Sequence, residues 1–411
     1  MERLIIKNFV GIESLEIELR KFNILIGPQA TGKSVVAKLL FYFKNFIWDI
    51  FTSLENEQTK QDFDHRFIEK FIEYFPSESW GNGNFSIRYE IRGKFIEINY
   101  EGSKPKLRLN YSDYFQRQIR SYRQLLKKIS DNRLGDKAYN QFDDISKLRQ
   151  RFLGEAVNQL GDVVGFSQLF IPAGRSFFAN LQNNIFAFLS TDNAIEPFLR
   201  EFGVIYENIK RLSPFNESEH LEIRQSIESL LFGKYIRERS KDYLLLADGR
   251  KIHIANSSSG QQEILPLTLI LNELPFLYGG QTVYIEEPEA HLFPTTQKDV
   301  IELIAAVFNL YGQNPLQFII TTHSPYIITA MNNLLYAGKL YETLPEEQCA
   351  RLKEIIPRSR SLKLQDIAAY SLEHGGGKSI VCEEIGLIES QIIDAVSDQL
   401  AMQFDLLLQV E

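Results

Sequence analysis

The chain has 411 residues, 44% of them hydrophobic and 24% charged, which is enough for a large core and excludes both a mini-protein and a disordered chain. Cys349 and Cys382 stand far apart with no histidine at ligand spacing, so neither a disulfide framework nor a zinc site is implied, and a reducing, cytoplasmic setting is expected. No stretch reaches about eighteen uninterrupted apolar residues, and Met1 to Phe9 alternates like a strand where a leader would be basic and then apolar, so neither secretion nor membrane insertion is expected. The net charge of -8 argues against a surface that is basic everywhere, yet 13 basic and 5 acidic side chains fall between Lys104 and Arg151, against 32 and 48 in the remainder.

Leu4 to Phe9 and Leu15 to Leu19 read as paired strands, and the apolar run Phe22 to Ile26 as a buried one that ends at Gly27. Val35 to Asp49 is apolar at helical spacing, and a polar helix is expected from about Thr52 to Phe75, ended by Pro76. Phe85 to Ile91, Lys94 to Tyr100 and Lys106 to Asn110 alternate with period two around Gly-containing turns, which predicts a β-meander. Phe115, Ile119, Tyr122, Leu126 and Ile129 then form a heptad seam. Ala138, Phe142, Ile145, Phe152 and Ala156 form its partner, with a hairpin loop over Asp131 to Asp136. At 1.5 Å per residue the first helix of the pair is only about 28 Å long, a short knob.

Val163 to Ile171 reads as a strand, Ser176 to Phe232 as helices, and Tyr235 to Ile254 as a hairpin turning at Asp248-Gly249. Helix (Gln262 to Leu274), strand (Thr282 to Ile285), helix (Thr295 to Leu310) and strand (Gln317 to Thr321) then alternate, the mark of a parallel α/β sheet. The tail from about Thr343 is amphipathic and is expected to cap the same domain, with Gly375 to Ser379 as a hairpin turn.

Gly27-Pro28-Gln29-Ala30-Thr31-Gly32-Lys33-Ser34 matches G-x-x-x-x-G-K-[ST] between a strand and a helix, the context a phosphate-binding loop requires. Glycines let the backbone wrap phosphates, amides and the helix N-terminus supply positive dipoles, Lys33 reaches the terminal phosphates, and Ser34 ligates Mg²⁺. Glu286-Glu287-Pro288-Glu289 ends a buried strand. On a parallel sheet that tip shares an edge with the loop, so Glu286 is expected to bind Mg²⁺ through water and Glu287 to act as general base. Ser258, Ser259, Gly260 and Gln261 open a helix as an anion site or a cap. His323 closes another strand, where it could hydrogen-bond a γ-phosphate. His65, His220, His253, His291 and His374 have no partners at ligand spacing and read as surface or packing residues. Arg120, Arg123 and Lys127, with Arg117 and Lys128 nearby, lie on the polar side of the heptad seam, as a solvated face or as a contact for phosphates or an acidic partner.

In this order the four elements resemble the ATP-binding-cassette (ABC) ATPases of the RecF and chromosome-maintenance type. Glu286 to Pro294 (EEPEAHLFP) with Thr322 to Pro325 (THSP) resembles, more narrowly, the overcoming-lysogenization-defect (OLD) family of prokaryotic defence ATPases. Nearly the whole chain is covered, including Ile171 to Arg175, so Arg175 becomes a candidate site residue. Glu286 stands where many cassette ATPases have Asp, and Ser257 and Ser259 replace the usual Leu and Gly of the signature. The resemblance implies an ATPase head with a mixed sheet. In it Ser258 to Gln261 of one subunit close on ATP held by the other, His323 acts as switch residue, and Gln168 is the candidate for the family's metal-contacting glutamine. OLD nucleases add a Toprim domain with an Asp-x-Asp pair, and no such pair follows His323, so no nuclease centre is expected.

The expected organisation is an amino-terminal ATPase lobe (1–110), an inserted helical hairpin (111–160), a carboxy-terminal ATPase lobe (161–342) and an extension (343–411). The expected function is a cytoplasmic, Mg²⁺-dependent ATPase whose ATP-driven self-association, as a homodimer or higher oligomer, controls an effector such as a nuclease in defence against phage or foreign DNA. A DNA repair ATPase that binds DNA directly and an ATP-binding scaffold with little hydrolysis are the alternatives.

Overall fold

The alternation of the first residues produces β1 (Glu2–Phe9), which turns through Val10 and Gly11 into antiparallel β2 (Ile12–Leu19), and β3 (Phe22–Ile26) follows with every residue buried. The computed structural model describes every residue except 82, 103, 132–137, 182–195, 213–220, 240, 278, 311–314, 390–401 and 404–411. Helix α1 (Lys33–Lys44) is buried over most of its length, and at Asn45 the expected single helix divides into α1 and α2 (Phe46–Glu55). The Asn45 side chain donates to the Phe41 carbonyl at 2.9 Å, a local bond that competes with the helical ladder. A second break precedes α3 (Lys60–Tyr74), where Thr59 and Asp62 form a reciprocal capping box.

The meander forms as β4 (Phe85–Ile91), β5 (Lys94–Glu101) and β6 (Lys104–Tyr111), joined to the sheet by the antiparallel pairing of β4 with β1. The helical pair is α4 (Asp113–Asp131) and α5 (Ala138–Leu160); most of the loop expected between them lies outside the described residues. In its described part the seam is packed: Phe115, Ile119 and Tyr122 are buried and the Tyr122 ring meets Phe152 edge-on at 4.9 Å, whereas the side chains of Ile129, Ala138 and Phe142 lie outside the described residues. Phe115 also packs on Phe46 and Phe152 on Phe51, which seats the pair against α2.

β7 (Ser167–Ile171) is shorter than expected, because Asp162–Gly165 forms a 3₁₀ turn. Helices α6 (Phe177–Leu181), α7 (Pro197–Leu212) and α8 (Leu221–Leu230) follow. The expected hairpin over Tyr235 to Ile254 is a three-stranded sheet of β8 (Lys234–Glu238), β9 (Lys241–Leu245) and β10 (Lys251–His253), since the chain turns a first time before Lys241. Helix α9 (Ser259–Glu273), β11 (Gln281–Glu286), α10 (Pro294–Leu310), β12 (Leu316–Thr322), α11 (Pro325–Thr343) and α12 (Glu346–Ile355) then alternate.

The tail does more than cap. β13 (Ile367–Glu373) inserts beside β3 in parallel, and β14 (Gly375–Ser379) returns antiparallel, so the glycines expected as a turn form a strand and the turn is His374-Gly375. The result is an α/β fold built on a mixed eleven-stranded sheet in the order β6-β5-β4-β1-β2-β14-β13-β3-β12-β11-β7. The strands from β13 to β7 are mutually parallel, and successive residues alternate between two cores. Phe170, Tyr284 and Ile319 face the aromatic side with α1, whereas Ile171, Ile285 and Ile320 face α9, α10 and α11. Among the described residues no helix is long and apolar enough to cross a membrane.

At the lower edge of the sheet, a buried polar network ties the amino-terminal strands to the parallel core. Lys44 Nζ donates to the Glu2 carboxylate and to Gln317 Oε1 (2.8 Å), the Tyr89 hydroxyl donates to Glu2 Oε1 (2.7 Å), and Gln317 Nε2 donates to Glu2 Oε2 (3.0 Å). Burial lowers the Lys44 pKa and the Glu2 charge opposes that.

Candidate functional site

Parallel register brings three strand tips to the opposite, upper edge. Glu286 of β11 lies beside Thr321 of β12, Thr322 lies beside Ile26 of β3, and the glycine loop begins at the next residue. Gly27 is compelled by packing, because a Cβ there would sit 2.1 Å from the Leu372 carbonyl oxygen of β13. Gly32 adopts φ +92, and a Cβ on it would lie 2.8 Å from Ile12 Cδ1. Gly32 is also the N-cap of α1 and supplies no side-chain cap, so the first amides of that helix keep their capacity for an anion. Lys33 is buried, and its Nζ donates to the carbonyls of Gly27 (2.7 Å) and Pro28 (2.6 Å) across the loop. Desolvation lowers its pKa, while Glu287 and Glu289 pull it back up, so the amine and the acidic turn share one field.

Glu286 is buried. Its Oε2 accepts from the Ala173 amide (3.3 Å), and its Oε1 has no hydrogen-bond partner of normal geometry. Burial pushes the carboxyl above its ordinary range, against the pull of Lys38, the adjacent Ser34 hydroxyl and the Ala173 amide. An orphaned carboxylate oxygen beside a hydroxyl at the mouth of a phosphate loop suits a hydrated hard cation, which keeps most of its ligands from water and phosphate, so the residues present fit Mg²⁺.

Glu287 has the left-handed φ of +43, held by its amide donating to Thr321 O (2.9 Å) and by its carbonyl accepting from Arg175 Nη2 (3.1 Å). Its carboxylate is half-buried and lies 3.6 Å from His323 Nδ1. Glu289, to which sequence reasoning assigned no role, is buried and organises this corner. Its Oε1 accepts from the Thr322 hydroxyl (2.6 Å) and the His323 amide (2.9 Å), and lies 3.4 Å from His323 Nδ1. The available signal was a third carboxylate just past the Pro288 turn.

Ser258 is the exposed N-cap of α9. Its Oγ accepts from the Gln261 amide (3.3 Å) and Gln261 Oε1 accepts from the Ser258 amide (3.1 Å), while Gln261 Nε2 donates to Leu231 O (2.8 Å). The Gln261 side chain is thus engaged in capping, which leaves Ser258, Ser259 and the helix N-terminus facing outward. Gly260 lets the helix approach the acidic turn: a Cβ there would lie 2.9 Å from His291 O.

Three candidates occupy other places. Gln168 pairs with Thr282 at the start of its strand, four residues from the tip that carries Glu286, and its amide is held by Phe166 O (2.7 Å) and the Tyr284 hydroxyl (2.8 Å). The structure thus does not bring Gln168 to the strand tip that carries Glu286. Arg175 is fully buried, with its guanidinium donors spent on protein carbonyls, those of Glu286 and Glu287 among them. Arg123 is withdrawn from the basic stripe, because its Nη2 donates to Gln58 O at 2.6 Å, whereas Arg117, Arg120, Lys127 and Lys128 are exposed.

A glycine loop leading into an uncapped helix, a buried lysine, and carboxylates on the neighbouring strand tips together define a phosphate-loop nucleotide-binding protein. The chain belongs to the AAA ATPase domain family, whose profile matches residues 1–162 and 166–328. No curated protein matches the sequence. Solved structures similar to it include the SMC head domain from Thermotoga maritima, at 12% identity over 93% of this chain and 98% of that chain, TM-score 0.38. They also include an Smc head domain with an extended coiled coil bound to the C-terminal domain of ScpA, derived from Pyrococcus furiosus, at 12% identity over 97% and 99% of the two chains, TM-score 0.40. The recombination mediator RecF-ATPrS of the RecFOR pathway is similar at 12% identity over 92% and 97%, TM-score 0.33.

Proposed function

We propose that the chain is an ABC-type, Mg²⁺-dependent ATP hydrolase of the RecF/OLD-like kind, an ATP-driven self-associating switch that governs a separate effector such as a nuclease in defence against foreign DNA. The observation that carries the hydrolase reading is the convergence of Lys33, Ser34, Glu286 and Glu287 at adjoining strand tips. The loop amides and Lys33 Nζ hold the terminal phosphates, with Lys33 leaving the Gly27 and Pro28 carbonyls to do so. Ser34 and Glu286 would hold Mg²⁺, which when bound neutralises charge on those phosphates. A Glu287 carboxylate oxygen orients the attacking water and takes its proton. His323, steadied by Glu289, presents its imidazole to the γ-phosphate. The defence assignment is supported by the EEPEAHLFP and THSP segments alone.

Self-association is supported by the outward-facing start of α9 and by Phe293, 73% exposed in the segment just past the acidic turn. If Ser258 to Gln261 complete the site of a second copy, nucleotide occupancy and subunit contact are linked. Light scattering of a slowly hydrolysing Glu287→Gln protein should then show a larger species with saturating ATP than without. Ser258→Arg should abolish that species while leaving nucleotide binding to the loop. A species unchanged by ATP defeats the switch.

Direct DNA binding is a second reading, favoured by the exposed Arg117, Arg120, Lys127 and Lys128 on α4. Titration with duplex DNA at several salt concentrations separates the two. A DNA grip gives a slope of about 0.9 in log affinity per contacted phosphate, lowered together with affinity when Arg117, Arg120 and Lys127 are changed to Glu. We expect instead no binding that these reversals alter, because the rest of the chain is strongly acidic and repels a polyanion.

A further inference from the structure

Arg175 is the largest fully buried side chain among the described residues, and its contacts join two parts of the site that are far apart in sequence. On one side is α9: the Arg175 amide donates to Glu263 Oε2 (3.0 Å), the Ser176 amide to Glu263 Oε1 (3.0 Å), and Arg175 Nε to Glu263 O (3.2 Å). Glu263 lies one turn past Ser259, at the start of that helix where Ser258 and Ser259 are exposed. On the other side is the acidic strand tip, where Arg175 Nη1 donates to Glu286 O (2.7 Å) and Pro172 O (2.9 Å) and Nη2 donates to Glu287 O (3.1 Å). The planar guanidinium meets four carbonyls, those of Glu263, Pro172, Glu286 and Glu287, at fixed angles, which the single ammonium of a lysine cannot reproduce. Glu287 needs such support, because its left-handed backbone is costly for a residue with a side chain.

We propose that Arg175 is a positioning residue that clamps the left-handed Glu287 to the α9 helix through Glu263, so that the orientation of the Glu287 carboxylate is set by where that helix sits. A shift of the helix start, as when a second copy closes on it, is passed through the Glu263 carboxylate and the Arg175 fork to the backbone carbonyl of Glu287. The inference rests on the hydrolase reading for its kinetic consequence and on the contacts alone for its structural one.

Two variants of the full chain test it. Arg175→Lys keeps the cation and loses the fork, and Glu263→Gln keeps one acceptor and loosens the anchor, which covers the case in which the lysine variant folds poorly. Hydrogen exchange should quicken at the Glu287 amide, read in peptides spanning 285–292, with protection of Phe22–Ile26 unchanged. Turnover should fall about 10- to 100-fold with KM for ATP changed less than about threefold, as expected when a reacting group is displaced by a fraction of its working distance. In a Glu287→Gln background neither change should lower the residual turnover further. Losses that multiply with Glu287→Gln, a purely KM effect, exchange that quickens across the whole chain, or no local change in exchange would each overturn the proposal. A wild-type protein that neither binds nor hydrolyses ATP would remove the hydrolase reading instead, and the exchange measurement would still decide the clamp.

Discussion

Glu287→Gln should reduce ATP turnover by about 10²-fold or more while leaving nucleotide affinity close to that of the wild type. The amide keeps the size of the carboxylate and the backbone bonds to Thr321 and Arg175, so the left-handed turn survives. What is lost is a proton acceptor at a half-buried position 3.6 Å from His323. Binding depends on another set of atoms, the loop amides and Lys33, so Lys33→Ala should show the opposite pattern of weakened affinity. The check is multiple-turnover hydrolysis at saturating Mg²⁺ beside equilibrium titration with a fluorescent ATP analogue. Wild-type turnover in Glu287→Gln would move the proton acceptor elsewhere, with Glu289 the next carboxylate to test, since its Oε1 is committed to Thr322 and His323 but its buried Oε2 has no hydrogen-bond partner.

Lys44→Met should lower the stability of the folded chain by about 3–5 kcal/mol, since it deletes one partner of a buried ion pair and leaves the Glu2 carboxylate with neutral donors only. Pairing it with Glu2→Gln should recover much of that loss, because the second change removes the stranded charge. The urea midpoint of the three proteins measures this. Remaining folded molecules of Lys44→Met should bind ATP normally, because the network occupies the sheet edge away from the glycine loop. An unchanged midpoint would mean that Tyr89 and Gln317 suffice to hold the Glu2 charge.

Local patterns were legible in the sequence wherever one segment carries its own reason. Phe22 to Ile26 is apolar except for Asn23, whose side-chain amide donates to the Arg20 and Phe318 carbonyls, because the strand is buried on both faces. The glycine loop follows because backbone must turn there, and Glu286 lies at a strand tip because β11 runs parallel to β3 two places away. Breaks that depend on one side-chain bond, such as Asn45 to Phe41 O, were hidden inside a helical period. So were roles set by distant partners. Glu289 reads as one more acid until Thr322 and His323 arrive beside it, and Arg175 as a candidate site residue without a defined role until Glu263 and the acidic turn enclose it. Gln168 is a candidate by residue type, and only strand register reveals that it stands at the end of β7 far from the Glu286 tip. The place of β13 was out of reach for the same reason, because nothing within Ile367–Glu373 names its neighbour.

That strand has a consequence for how the protein is made. β3 emerges from the ribosome long before β13, which fills the slot between β3 and β14, a delay on the order of tens of seconds at ordinary elongation rates. Until then β3 has an open edge, and the Leu372 carbonyl that confines Gly27 is missing. A nascent chain halted before Ile367 therefore carries every residue of the glycine loop and of the acidic turn but not the wall that shapes the loop. Nucleotide capture thus waits for β13 and arrives in one step, only after translation has run past Glu373.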